Sequence, residues 1–235
     1  MSGTSMDAID ATLLKTDGQY KNEEVSYVTQ VYTPEFKILL KAAEFTAQHH
    51  RKNVAAANEN FLEMLAVYLK NHLGIAGSHL AEKILALQND FQENTGTCLS
   101  YDAVITYSTH LHAEAVTQLL AKSKISATDI DVIGYHGQTL LHCPTEKFTL
   151  QAGDGKLLAT LTGIPVVNDF RSLDMANGGQ GAPFAPLYHH AVGNDALKKQ
   201  VKAGWSEAQI RLSWEPRLTE FKKLRKKYLL YKDFE

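Results

Sequence analysis

The sequence predicts an α/β fold. Two observations carry that prediction. From Ile130 to Asp169, short apolar runs alternate with a helical pattern, the arrangement of strands and helices that packs into an α/β layer. Polar side chains collect where those runs end, beside glycines, and that is where open α/β sheets hold small ligands.

The elements follow in order. Met1-Ser2-Gly3-Thr4-Ser5-Met6-Asp7 reads as a turn that becomes a strand through Leu14. The Ser-Gly-Thr-Ser turn offers backbone N–H groups and hydroxyls, which suit a phosphate. Asp7 and Asp10 have the chemistry to hold a magnesium ion or its waters. The bland reading, a structural hydroxyl turn, stands beside this one. A phosphate hairpin needs a strand on each side, and the strand expected before the turn is missing from the sequence.

Asp17-Gly18 marks a turn, and Val25 to Tyr32 a strand. Pro34 opens a helix with Phe36, Leu39, Leu40 and Ala43 on one face. A longer helix is expected from about Asn53 to His72, striped by Phe61, Leu62, Leu65, Ala66 and Leu69. Leu80 to Phe91 reads as helical, ended by Glu93-Asn94-Thr95-Gly96. From Thr109 a strong amphipathic helix carries Leu111, Ala115, Val116, Leu119 and Leu120, with His110 and His112 as ordinary residues of its start. Ile130 to Gly134 reads as a buried strand running into His136-Gly137-Gln138-Thr139. Phe148 to Gln151 is a strand. Asp154 caps a helix from Gly155 to Thr162 that Gly163 ends, and Ile164 to Asn168 is the next strand. The loop Gly178-Gly179-Gln180-Gly181-Ala182-Pro183 follows. Its glycines permit close backbone approach to a ligand.

His136, Gln138, Asp169, Arg171, Asp174 and Gln180 therefore form a sugar-type constellation: amides and carboxylates for hydroxyls, and an arginine for a carboxylate or phosphate. Each alone reads equally well as a satisfied structural group. Gln151 and Asp154 are less secure candidates. His142, His189 and His190 read as supporting or surface residues. The remaining histidines, among them His49, His50, His72 and His79, make no ligand set. No nucleophilic triad and no Cys/His metal spacing is present.

The composition, 44% hydrophobic and 21% charged over 235 residues, is that of a soluble globular protein. No apolar run is long enough to span a bilayer. Cys98 and Cys143 fit no metal spacing and suit a reducing, cytoplasmic setting. The net charge of −2 hides an asymmetry: residues 1–197 hold 13 basic and 21 acidic residues, and residues 198–235 hold 11 and 5. A basic tail raises the question of nucleic acid. Here its charges interleave with Trp205, Trp214, Phe221 and Leu224, so a solvated basic helix with a packing face is preferred, with no nucleic-acid and no membrane partner.

Ser2 to Asp7 with Ile9-Asp10, then His136-Gly137-Gln138-Thr139, Gln151-Ala152-Gly153-Asp154, Asp169-Phe170-Arg171 and Gly178 to Pro183, resemble in order and combination the anhydro-N-acetylmuramic acid kinases. The resemblance covers about residues 1–192. It implies the actin-like sugar-kinase fold, two lobes around an ATP cleft. It implies hydrolysis of the 1,6-anhydro ring with transfer of the ATP γ-phosphoryl to O6, giving N-acetylmuramic acid 6-phosphate in cell-wall recycling, with Mg2+. By it, Gly3, Thr4, Ser5, Met6, Asp7, Ala8, Ile9 and Asp10 fall in the ATP-phosphate hairpin, and His136, Gln138, Arg171, Asp174 and Gln180 in the substrate-side motifs. Position 8 is Ala where the family often has Gly. The family's Asn-Ile-Gly-Gly, Asp-Thr-Gly-Pro-Gly-Asn and Gly-Gly-Gly segments have no match, so its general base and adenosine motif have no position here.

The expectation is an N-terminal lobe, residues 1–192, with residues 193–235 a basic helical tail of different origin. Trp205 to Trp214 and Phe221 to Tyr231 resemble the end of the exo-acting N-acetylmuramidases, and Ser206 is the cap of its first helix. Little turnover is expected, with self-association or a homodimer through the uncovered lobe face. The alternative is a non-catalytic sugar- or phosphate-binding or regulatory module.

Overall fold

A computed structural model describes residues 6–17, 22–51, 53–181, 200, 203–206, 209, 210, 212 and 213. It divides into two units, Met1–Thr16 with Glu23–Pro183, and Asp17–Asn22 with Phe184–Glu235. The first is a mixed α/β unit.

Strand β1 (Ala8–Thr16) pairs with β2 (Asn22–Val31). The Tyr32 N–H donates to the Asp7 carbonyl at 3.0 Å, and Thr29 Oγ1 to Asp10 Oδ1 at 2.7 Å. One number rises as the other falls, which is the antiparallel sense. Thr33 then caps α1 (Pro34–His50), its hydroxyl accepting from the Phe36 N–H at 3.2 Å, with Pro34 in the first turn. That proline costs nothing where the N–H has no helical partner.

The helix expected from Asn53 to His72 is two helices, α2 (Val54–Glu59) and α3 (Phe61–Leu73). The break is at Asn60, whose side chain donates to the Ala56 carbonyl at 2.8 Å. Asparagine competes for helix carbonyls in this way. Of the expected stripe, Phe61, Leu65 and Leu69 are buried, whereas Leu62 lies outward. Helix α4 (Ser78–Thr95) ends at Gly96 as read.

Helix α5 (Tyr101–Ser123) begins well before Thr109. Ser100 caps it, accepting from the Ala103 N–H at 3.2 Å. The run Val104-Ile105-Thr106-Tyr107 has strand-like composition, but tertiary packing decides. Tyr107 sits edge-on between Phe36 and Phe91, with centroids 5.1 and 5.7 Å away. His110 and His112 are therefore mid-helix rather than at the helix start, and His112 is buried.

The buried strand expected over Ile130–Gly134 is shorter and later: β3 (Ile133–Tyr135), with Val132 exposed. It pairs in parallel with β6 (Val166–Asn168), Ile133 opposite Val166 and Tyr135 opposite Asn168. Between them, β4 (Gln138–Cys143) and β5 (Phe148–Ala152) form an antiparallel hairpin with an irregularity between Thr139 and Leu141. Gln138-Thr139 thus starts a strand rather than ending one. Helix α6 (Gly155–Thr162) is capped by Asp154, which accepts from the Lys156 and Leu157 N–H groups at 2.8 and 3.1 Å. A short helix not expected from the pattern, α7 (Ser172–Ala176), precedes the glycine loop.

The main core joins Ile9 of β1, Phe36, Leu39 and Leu40 of α1, Leu65 and Leu69 of α3, Leu87 and Phe91 of α4, and Val104 of α5. Each such side chain contributes about 1.5–3 kcal/mol by leaving water. A smaller cluster, Ala113, Tyr135 and Leu158 with Ile133 and Val166 against it, seats the β3–β6 ribbon and α6 on α5.

In the second unit, Ser206 caps a helical turn as read. The Gln209 N–H donates to Ser206 Oγ at 3.3 Å, and the Ser206 N–H to Gln209 Oε1 at 2.8 Å. This is a reciprocal capping box. The rest of the tail expected as helix, from Trp214 onward, lies outside the described residues.

Candidate functional site

Strand ends and turns build one cleft of about 250 Å³, walled by His136, Gly137, Gln151, Gly153, Asn168 and Asp169, with Tyr135 and Ser172 also lining it. That is somewhat below the range for drug-sized ligands, and suits one monosaccharide. The C-terminal ends of β3 and β6 deliver His136 and Asp169 side by side because the two strands are parallel. Gln151 comes from near the end of β5, opposite Thr139.

Tyr135 forms the floor. Gly153, at φ 139°, lies directly over it: a Cβ there would stand 2.3 Å from the Tyr135 hydroxyl. Glycine is required by backbone and space together. Burial pushes the Tyr135 phenol up to about 12. Behind it, the His112 ring meets the Tyr135 ring edge-on at 5.0 Å. His112 Nδ1–H donates to the Ser108 carbonyl at 2.7 Å, and Nε2 has no partner. Burial brings this imidazole down to about 4, against the opposing pull of the Ser108 carbonyl, so it is neutral at pH 7. Thr109 accepts from the Asp154 N–H at 3.1 Å, tying α5 to the start of α6.

Of the substrate-side residues expected from the sequence, His136 alone lines the cleft. Its Nδ1 lies 2.9 Å from the Gly137 carbonyl, and Arg171 Nε donates to its Nε2 at 3.0 Å. A carbonyl only accepts and a guanidinium only donates, so the proton sits on Nδ1. Burial, chiefly, and the Arg171 charge hold His136 below the usual imidazole value. Gln138 is buried beneath the site, donating to the Thr139 carbonyl at 3.3 Å, with Oε1 unpartnered. Arg171, Asp174 and Gln180 form a second group beside the cleft. Arg171 Nη1 donates to the Gly181 carbonyl at 2.9 Å, and Asp174 Oδ2 accepts from the Gly181 N–H at 2.7 Å. Gln180 is exposed, its carbonyl 3.1 Å from His142 Nε2.

The glycine loop is close to its own side chains. Gly181 has φ 73°, and a Cβ would stand 2.7 Å from His142 and 2.9 Å from Met175 Sδ. The glycines that suggested approach to a ligand admit the imidazole, thioether and carboxylate of this chain.

At the other expected site, Gly3, Thr4 and Ser5 lie outside the described residues. Met6 is buried, with φ 53°, and Ile9 belongs to the core. Asp7 pairs with Lys37, and Asp10 accepts from Thr29. Ala8 begins β1. No group of three His, Cys, Asp or Glu able to hold a metal occurs among the described residues.

Sequence reasoning passed over Tyr135, Thr149, Asn168 and Ser172. Asn168 and Tyr135 carried a usable signal, since each is the last residue of a short apolar run. Ser172 and Thr149 carried none. Among the described residues no helix is long and apolar enough to cross a membrane.

A family model described as anhydro-N-acetylmuramic acid kinase matches residues 53–203. Curated relatives of that name include one from Rhodopseudomonas palustris, 35% identical over 192 residues, which are 82% of this chain and 41% of the relative. Another, from Brucella canis, is 38% identical over 82% of this chain and 40% of its own length. A third, from Nitrobacter winogradskyi, is 33% identical over 82% and 41%. The chain spans about two-fifths of the length of the curated relatives it matches. With its order of motifs, its mixed α/β unit and a family match over more than half of its residues, this chain belongs to the anhydro-N-acetylmuramic acid kinase family.

Proposed function

We propose that the first unit is the sugar-binding part of an ATP-dependent kinase of 1,6-anhydro-N-acetylmuramic acid, within the actin-like sugar-kinase architecture. The observation that carries this is the cleft itself, monosaccharide-sized and walled by His136, Gln151, Asn168 and Asp169. Gln151, Asn168 and Asp169 are groups that donate to or accept from hydroxyls and an acetamido group, while the His136 ring, its nitrogens held by Gly137 and Arg171, offers packing contact. His136, Gln138, Arg171, Asp174 and Gln180 then serve the sugar side, His136 by contact and the others through the cleft's walls and loop. The reaction opens the anhydro ring with water and places the ATP γ-phosphoryl on O6, in cell-wall recycling in the cytoplasm.

Gly3 to Asp10 is the proposed phosphate hairpin. Lys37 is the cation proposed for a nucleotide phosphate at this end, which would have to draw it from Asp7, its present partner. Magnesium fits only as the ion that ATP brings, held by phosphate and water with at most Asp7 or Asp10 nearby. When bound, it would neutralise charge developing on the transferred group. The residues of this chain contribute binding and orientation: Lys37 toward phosphate, His136 and Asp169 toward sugar. The 235-residue chain carries no counterpart of the family's general base, and phosphoryl transfer needs positioning from both sides of the cleft. Turnover by this chain alone is therefore expected to be negligible. Residues 1–192 are proposed as the kinase lobe, and 193–235 as a tail of different origin.

A second reading, a sugar- or phosphate-binding or regulatory module without chemistry, is favoured by one observation. Both carboxylates of the hairpin are engaged by this chain, Asp7 by Lys37 and Asp10 by Thr29. ADP release from the purified chain with Mg-ATP, with and without the anhydro sugar, separates the two. Sugar-dependent release supports turnover, whereas sugar binding without release supports the module. Absence of sugar binding by folded protein overturns the first reading, and absence of both sugar and nucleotide binding overturns the second. Self-association is proposed through the β1–β2 ribbon, where Leu14, Val25, Tyr27 and Val31 are exposed. Sedimentation that shows a monomer at high concentration would overturn it.

A further inference from the structure

Two lines of side chains leave the cleft and end on adjacent backbone groups of the glycine loop. The first runs from His136, which lines the cleft, to Arg171, and from Arg171 Nη1 to the Gly181 carbonyl at 2.9 Å. The second starts at Gln151, also in the wall. Gln151 Nε2 donates to Thr149 Oγ1 at 2.6 Å, and Thr149 Oγ1 is 3.2 Å from His142 Nδ1. His142 Nε2 then reaches the Gln180 carbonyl at 3.1 Å. The Gln180 carbonyl and the Gly181 N–H belong to one peptide group, and Asp174 accepts from that N–H at 2.7 Å.

We propose that Arg171 and His142 are positioning residues that transmit occupancy of the cleft to the Gly178–Gly181 loop. The proposal rests on the cleft being the sugar site. The chemistry supports transmission rather than simple packing. Both lines begin on side chains that line the cleft, His136 and Gln151, and both end on the same short stretch of backbone. The two imidazoles hold opposite tautomers. His136 accepts at Nε2, whereas His142 must donate there, because a carbonyl cannot. Each ring therefore passes a hydrogen bond in a fixed direction. Gly181 admits no side chain where His142 and Met175 stand, so the loop packs directly against both. Among the described residues, Arg171 donates to a neutral imidazole and a carbonyl and forms no ion pair. It acts through its geometry.

The experiment is amide exchange at Gly181, read by NMR on the labelled full chain, with α1 amides reporting that the fold is intact. His136→Phe and Gln151→Leu, changes made at the cleft, are expected to accelerate Gly181 exchange roughly tenfold. Asn168→Ala, in the wall but on neither line, should leave it unchanged. His142→Ala should accelerate it, and His142→Gln, which places a donor near Nε2, should restore it. No acceleration from either cleft substitution overturns the proposal. So does equal acceleration by Asn168→Ala, or failure of His142→Gln to rescue. Titrating 1,6-anhydro-N-acetylmuramic acid into the unaltered chain should slow exchange at Gly181. If the variants behave as expected and the sugar does nothing, the relay stands and the sugar assignment falls.

Discussion

Arg171 donates through Nε to His136 Nε2 at 3.0 Å, so a permanent cation rests on an imidazole that must stay neutral. Among the described residues His136 hydrogen-bonds the Gly137 carbonyl and Arg171, with the Asp169 carboxylate beside it in the cleft wall. Protonation would set two donors against each other. Burial first, and then the Arg171 charge, depress this group in the folded state, and its contribution is present above the ordinary histidine value and lost as pH falls through the folded one. We expect the His136 ring to titrate below pH 6.5 by heteronuclear NMR, and Arg171→Met to bring it back toward that value. An Arg171→Met ring titrating unchanged would contradict this.

His112 carries the larger acid liability. Its imidazole is brought down to about 4 by burial. Between pH 6.5 and 4 the unfolded chain binds the proton and the folded one does not, so stability falls as pH falls, by on the order of 3 kcal/mol for full burial. Urea midpoints measured at pH 7.5 and 5 should diverge for the unaltered chain and converge for His112→Leu.

Thr109 offers a test of the join between α5 and α6. Its hydroxyl accepts from the Asp154 N–H, and Thr109→Val removes that part-buried hydrogen bond, at about 0.5–1.5 kcal/mol. Thr109→Ser should recover most of the loss in urea unfolding. Equal losses for Val and Ser would assign the effect to packing.

Two glycines separate strain from collision. Gly178 and Gly181 are both left-handed, but a Cβ at Gly178 meets nothing within 4 Å. Gly178→Ala should cost about 1–2 kcal/mol, and Gly181→Ala clearly more, because His142 and Met175 must also move. Equal midpoint shifts would refute the collision.

The sequence made the fold legible where signals were local. Pro34, Asp154 and Gly163 set helix ends that the structure repeats. It misled where tertiary contacts decide. Asn60 splits a helix through its side chain, and Tyr107 is drawn into a helix by Phe36 and Phe91. His136 was legible in the site because it follows a short apolar run beside a glycine. The role of Arg171 was not, since its residue type announces an anion while its partners are an imidazole and a carbonyl.

The parallel pairing of β3 with β6 also bears on the order of assembly. Val166 meets Ile133 only after β4, β5 and α6 have been laid down between them. The β4–β5 hairpin closes across a short connection and is entropically cheap, whereas the parallel ladder encloses a long stretch of chain. Asp169 and Arg171 arrive on the far side of that ladder. We therefore expect the ligand face to be the last part of this unit to mature during refolding. Pulse-labelled exchange should then show β4 and β5 amides protected before those of β6.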